Sequence, residues 1–254
     1  MPAQVNSTVA GGHMACEHHD SGTVANVHRM LALLIGLTLT GLTLLTGVAC
    51  TRQIEGSAQS DPNAPLTQVS EDGFGIVAGF DEAPVQIEIF AEPQCSHCAD
   101  LQRDFGASLR HYIGLGQLEV TYRPLTFLEM AGYHYSERVS NALFVAAQDD
   151  KTAAVAFQRF VEELWADQDP SGQGPTDDQM AEKARTAGIP DELTQRIADG
   201  DGAVDTTEMD ETNYDFLYMV DPVETGTPTV YDLVNDEKID IYDEDWLDNL
   251  IASS

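Results

Sequence analysis

Three observations predict an α/β fold whose strands are interrupted by a long helical block. The chain has 254 residues of which 43% are hydrophobic, enough to build a real core. The β-branched, apolar-rich run Val85-Gln86-Ile87-Glu88-Ile89-Phe90 reads as a buried strand, and two cysteines three apart follow it in Cys95-Ser96-His97-Cys98. Cys98, Leu101, Phe105, Leu109 and Tyr112 then recur at helical spacing, with Gly114 as a stop. Strand, Cys-x-x-Cys, helix is the context in which a common spacing becomes a thiol–disulfide site.

The other elements follow in order. Residues 51–69 are polar, carry Pro62 and Pro65, and read as a linker. Gly75-Ile76-Val77-Ala78-Gly79 leads through Asp81-Glu82-Ala83-Pro84 into the first core strand. Leu118-Glu119-Val120-Thr121-Tyr122 alternates as a second strand ending near Pro124, and strand–helix–strand implies a parallel pair with a right-handed crossover. About 129–221 is helical in pattern. Tyr135, Val139, Leu143 and Ala146 share one face, as do Phe157, Phe160, Val161 and Leu164. Thr176 with Gln179 forms a capping box, and Gly188 stops that helix. Pro190 at a first helical position opens the next, which carries Leu193 and Ile197 and closes at Gly200. A weaker helix includes Phe216, Leu217 and Val220. These stripes read as packing surface. Strands return at 228–234 and 238–242 around a turn at Asn235-Asp236, and Asp243 is placed to cap a last helix with Trp246, Leu247, Leu250 and Ile251 inward.

The cysteine pair carries the chemistry. Two cysteines three apart close only a small, strained disulfide, which holds little of a fold together and reopens easily, so its value is redox exchange. The other reading of the pair is half a zinc site, which needs a second Cys or His pair. Cys16 and Cys50 both lie at or before the end of an export segment, and His111 and His134 lack paired-ligand spacing, so no metal is expected. Cys95 falls at a helix N-terminus, where unpaired N–H groups and the dipole favour a thiolate, the reactive form. Cys98, one turn inward, suits a shielded resolving thiol. His97 can lend partial charge or a donor to the Cys95 sulfur, or be an ordinary surface imidazole. Ser96 leaves its backbone N–H free as a further donor. Each such effect favours the reduced pair and makes the disulfide a stronger oxidant.

With 43 acidic against 12 basic residues the net charge is −31, spread along the chain. That argues against nucleic acid and against polybasic docking on anionic lipid, and suits a solvated surface. Between Arg29 and Arg52 lie 22 uncharged residues, a signal h-region or a spanning anchor. The segment 30–50 ends in Thr46-Gly47-Val48-Ala49-Cys50, similar to a bacterial lipobox that would lipidate Cys50, with Gly47 where Leu is usual. Either anchor places the rest of the chain in the cell envelope outside the cytoplasm, where disulfide chemistry is expected. Residues 1–29 are long for an n-region. They hold a cluster of His13, Cys16, His18, His19 and Asp20, without fixed metal-ligand spacing, and Met14 is an alternative start.

This order of elements resembles the thioredoxin fold in its DsbA-like branch, with a helical insertion, over about residues 74–252. The motifs that carry the likeness are Ala83-Pro84-Val85, Cys95-Ser96-His97-Cys98 and Gly226-Thr227-Pro228-Thr229. In that family the last holds a cis-proline facing the disulfide, which maps to Pro228; otherwise a Pro opening a strand is an ordinary edge feature. The resemblance implies a thiol–disulfide oxidoreductase acting on unfolded or reduced exported proteins. It needs no cofactor, Thr227 and Pro228 offer backbone to an extended substrate, and a membrane quinone-linked thiol oxidase is a further partner. Ser96 replaces a proline common in DsbA itself, and Thr227 resembles isomerase-type members, so a reductase or isomerase is the alternative, and a non-catalytic binding lipoprotein a third. Glu88 is weighed as a buried proton acceptor near Cys98, as acids serve in this fold, with an outward-facing Glu favoured.

Overall fold

The computed structural model describes residues 64–254 apart from 130 and 131. Segment 30–50, Cys50 and the cluster from His13 to Asp20 lie outside the described residues. Among the described residues, no helix is long and apolar enough to cross a membrane.

Six strands form one sheet: β1 (Thr67–Val69), β2 (Ile76–Ala78), β3 (Val85–Ala91), β4 (Leu118–Pro124), β5 (Thr229–Asp232) and β6 (Glu237–Lys238), in the order β1-β2-β4-β3-β5-β6. β3 and β4 are parallel, with Ile87 beside Val120, and are joined by α1 (Ser96–Gly114) as the crossover. β5 runs antiparallel to β3, pairing Ile89 with Val230. Between β4 and β5 lie α2 (Tyr135–Ala146), α3 (Ala154–Ala166), α4 (Asp177–Ala187), α5 (Asp191–Ala198) and α6 (Thr206–Val220), and α7 (Trp246–Ser253) closes the chain.

Alternation along β3 separates two cores. Val85, Ile87 and Ile89 face α1, whose Leu101, Leu109 and Ile113 join Phe157 and Phe160 of α3 and Trp246 and Leu247 of α7 in one cluster. On the other face Phe90 packs with Leu125 and with Leu217 of α6. The insertion therefore reaches both faces of the sheet. Full burial of side chains of this size contributes about 1.5–3 kcal/mol each relative to exposure, so these two clusters hold the element carrying the cysteines.

Several boundaries differ from the sequence reading. β1 lies at the end of the residues read as linker: Thr67 N donates to Thr152 O and β1 pairs with β2, so the packed domain begins before residue 70. α1 runs through Gly114; the left-handed residue is Gly116, at φ 70°, where a Cβ would meet the Phe80 ring at 3.1 Å. The Thr176–Gln179 capping box is present, and Gly188 at φ 97° caps α4. Pro190 is the N-cap of α5 rather than its first helical residue, with ψ 141° outside the helical region. The last strands are shorter than read. Asp243 accepts from Asp245 N in the approach to α7, and Asp245 holds the N-cap position.

Candidate active site

β3 ends at Ala91, and Glu92-Pro93-Gln94-Cys95 turns the chain into α1. Cys95 is the N-cap, with φ −76° and ψ 115°, and offers no side-chain oxygen to the helix. The donors of the first turn are left for its sulfur. A hydrogen bond from the Cys98 thiol, then one from Thr227 and the N–H groups of Cys98 and His97, outweigh desolvation and bring the Cys95 thiol down to about 5. When protonated, the same sulfur donates to Thr227 O at 3.1 Å. Cys98 is 1% exposed against 8% for Cys95. Burial first, and then its neighbour Cys95, push its thiol well above the ordinary range. At neutral pH the pair thus holds one thiolate and one thiol, and the thiolate is on the more accessible sulfur.

Thr227 reaches the pair from the loop before β5, and its bond to Pro228 is cis. With Gly226, Thr229, Lys238 and Tyr242 they line an open groove of 410 Å³. Ser96 is exposed and opens α1. The His97 side chain is 66% exposed, with Nδ1 3.5 Å from Asp100 Oδ2, so its imidazole faces solvent and its backbone N–H serves the sulfur.

Glu88 lies on the face of β3 away from α1, because Ile87 and Ile89 occupy the α1 side. Its Oε1 accepts from Arg123 Nε at 2.9 Å, and Arg123 also donates to Asp72 Oδ2 at 2.6 Å and sits 4.9 Å from the centre of the Phe216 ring. The buried acid that feels the Cys95 charge is Glu92, which sequence reasoning missed. It is fully buried, accepts from Ser136 Oγ and Gln94 N, and its carboxyl is pushed up to about 7 by burial, with the Cys95 and Glu129 charges adding. An acidic residue three before the first cysteine, at the exit of an apolar strand, was the available signal. Among the described residues, no group of three or more His, Cys, Asp or Glu is placed to hold a metal ion.

A family model described as thioredoxin matches residues 71–252. A curated relative, the serine/threonine-protein kinase PknE of Mycobacterium tuberculosis, is 29% identical over 182 residues, covering 70% of this chain. The chain spans only 31% of the length of that relative. Among solved structures, the thiol-disulfide oxidoreductase MdbA of Corynebacterium diphtheriae superposes with a TM-score of 0.60 at 22% identity, covering 74% of this chain and 93% of that one. MdbA of Corynebacterium matruchotii gives 0.59 at 22%, covering 70% and 88%. Reduced DsbG of Mycobacterium tuberculosis gives 0.53 at 21%, covering 70% and 85%. Matched along nearly three quarters of its length, with the helical insertion and the cysteine pair in place, the chain belongs to the thioredoxin family and has the DsbA-like form of its fold.

Proposed function

We propose that this DsbA-like protein is a thiol–disulfide oxidoreductase that works as an oxidase, forming disulfides in unfolded or reduced exported proteins. The observation that carries the reading is the placement of the Cys95 sulfur where the Cys98 thiol, the Thr227 side chain and the N–H groups of Cys98 and His97 donate to it, which favours its thiolate. What stabilises the reduced pair makes its disulfide a stronger oxidant.

A substrate thiolate attacks Cys95 Sγ of the disulfide; the S–S bond breaks and Cys98 leaves, taking a proton. A second substrate thiolate then attacks the substrate sulfur of the mixed disulfide and expels Cys95 as a thiolate. The substrate has lost two electrons and the enzyme holds a dithiol. Thr227 and Pro228 offer backbone to an extended substrate along the groove they line. Reoxidation falls to a membrane quinone-linked thiol oxidase. Anchoring through segment 30–50, by lipid on Cys50 or as a helix, keeps the domain in the cell envelope, and the acidity of the chain argues against a nucleic-acid partner.

The test is the reduction potential of the purified protein, with its turnover on a reduced unfolded protein. An oxidase gives a potential near the DsbA end of the range, about −120 mV, and catalytic oxidation. A value near about −270 mV, the thioredoxin end, transfers the site to the reductase reading.

A further inference from the structure

The helical insertion grips the active-site loop from two sides. Gln168, just past the end of α3, donates from Nε2 to the carbonyls of Pro93 at 2.6 Å and Cys95 at 2.9 Å. On the other side Gln94 Nε2 donates to Leu128 O at 3.2 Å and to Ser136 Oγ at 3.0 Å, and Ser136, on α2, donates in turn to Glu92. The two grips differ in what they touch. Ser136 and Leu128 hold side chains of the loop, whereas Gln168 holds the main chain of the N-cap itself.

We propose that Gln168 is a positioning residue for thiol–disulfide exchange, holding the Pro93 and Cys95 carbonyls so that the Cys95 sulfur stays over the first-turn N–H groups. The geometry gives the reason. From its own helix the Cys95 carbonyl accepts Cys98 N at 3.1 Å and, at greater length, Ala99 N at 3.3 Å, whereas Gln168 Nε2 stands at 2.9 Å, and the residue has no side-chain cap. The shortest bond to this carbonyl thus comes from outside α1, and hydrogen bonds weaken as they lengthen and bend. One primary amide has two hydrogens on a single nitrogen, which matches two carbonyls two residues apart. Being neutral, it also holds them without pairing with the sulfur. The insertion, far away in sequence, thus reaches the main chain of the residue that carries the sulfur.

The inference rests on the exchange chemistry proposed above, but its test does not: titration of the thiolate absorbance near 240 nm reads Cys95 even in a protein that oxidises no substrate. In the full-length protein Gln168→Met keeps the reach of the side chain and removes both donors. The expected result is an upward shift of the Cys95 titration by about half a pH unit or more, roughly threefold in the thiolate-to-thiol ratio. The equilibrium constant for oxidising glutathione falls by a comparable factor, while the oxidised protein keeps its melting temperature within a few degrees. Gln168→Ala, which removes the stem as well, gives a second reading should the methionine pack badly. An unchanged titration and glutathione equilibrium in either folded variant overturns the proposal. So does a loss of melting temperature alone, or a failure of both variants to fold, since each makes Gln168 a structural tie only.

Discussion

Glu88 and Glu92 sit four residues apart, on β3 and just past its end, and differ chiefly in what faces them. Glu88 meets the Arg123 guanidinium, which also holds Asp72 and is itself 8% exposed. Glu92 is more deeply buried and receives a hydroxyl and an amide N–H, but no cation. The first is a charge cluster that ties β3, β4 and the β1–β2 turn to the α6 layer. The second is a carboxyl held near neutrality in pKa beside a thiolate. A buried acid with a cation is a structural tie, and a buried acid without one has its pKa raised, so that its charge changes nearer neutral pH. The middle of β3 and the turn beyond its end therefore hold their acids in different ways, and that difference is open to experiment.

The largest expected effect is on turnover. Cys98→Ala should abolish catalytic oxidation and accumulate mixed disulfides on Cys95, because the nucleophile remains while its internal escape is gone. Gel shifts under non-reducing conditions check this, and trapping through Cys98 in Cys95→Ala instead would reverse the roles. At Glu88, Arg123→Met should cost about 3 kcal/mol in denaturant unfolding, since it leaves Glu88 and Asp72 without their cation. The Cys95 titration should not move in that variant; if it does, the Arg123 cluster and the cysteine site are not separate.

Redox state should change stability in a pH-dependent way. With a folded value of about 5 against about 8.5 in the unfolded chain, the Cys95 thiolate stabilises the reduced form. This contribution is complete above about 8.5, declines between the two values and is lost as pH falls through about 5. Melting of reduced minus oxidised protein should therefore be positive at pH 8 and shrink toward pH 5. A difference that stays constant across that range would remove the thiolate as its cause.

Glu92 should give the smallest effect, of opposite sign. Its folded value near 7 lies above the ordinary 4.5, so the neutral form is favoured in the fold. Stability from this group is full below about 4.5, lost as pH rises to about 7 and flat thereafter. Glu119, half-surrounded by Asp81 and Glu82 and also pushed up to about 7 by burial, adds a parallel loss. Glu92→Gln should thus flatten part of the decline of the oxidised protein between pH 5 and 7, by about 1–2 kcal/mol, leaving the Glu119 share. Unfolding curves at several pH values decide it; an unchanged slope would mean that Glu92 does not titrate there.

Period and spacing alone carry much of the fold. The alternation of 85–90, the helical stripe from Cys98, the capping box at Thr176–Gln179 and the glycine at 188 are local patterns, and local hydrogen bonding and steric preference enforce them wherever they occur. The parallel pairing of β3 with β4 followed from the crossover length. Boundaries were less legible, because neighbours decide them. Gly114 stays helical while Gly116 takes the left-handed turn against Phe80, and Thr67–Val69 becomes a strand only because β2 offers an edge.

The cysteine pair itself was readable: two cysteines at a strand-to-helix junction, with Thr227-Pro228 as the distant second motif. What the sequence by itself determined was the chemistry of that junction, since a helix N-terminus without a side-chain cap presents free N–H groups to whatever atom sits there. What only the tertiary structure decided was which distant groups reach it. Thr227 lies 132 residues away and its carbonyl is 3.1 Å from the sulfur. Gln168 arrives from the insertion, and the choice between Glu88 and Glu92 turned on which face of β3 met Arg123. Those contacts depend on the packing of whole elements, and no local periodicity encodes them.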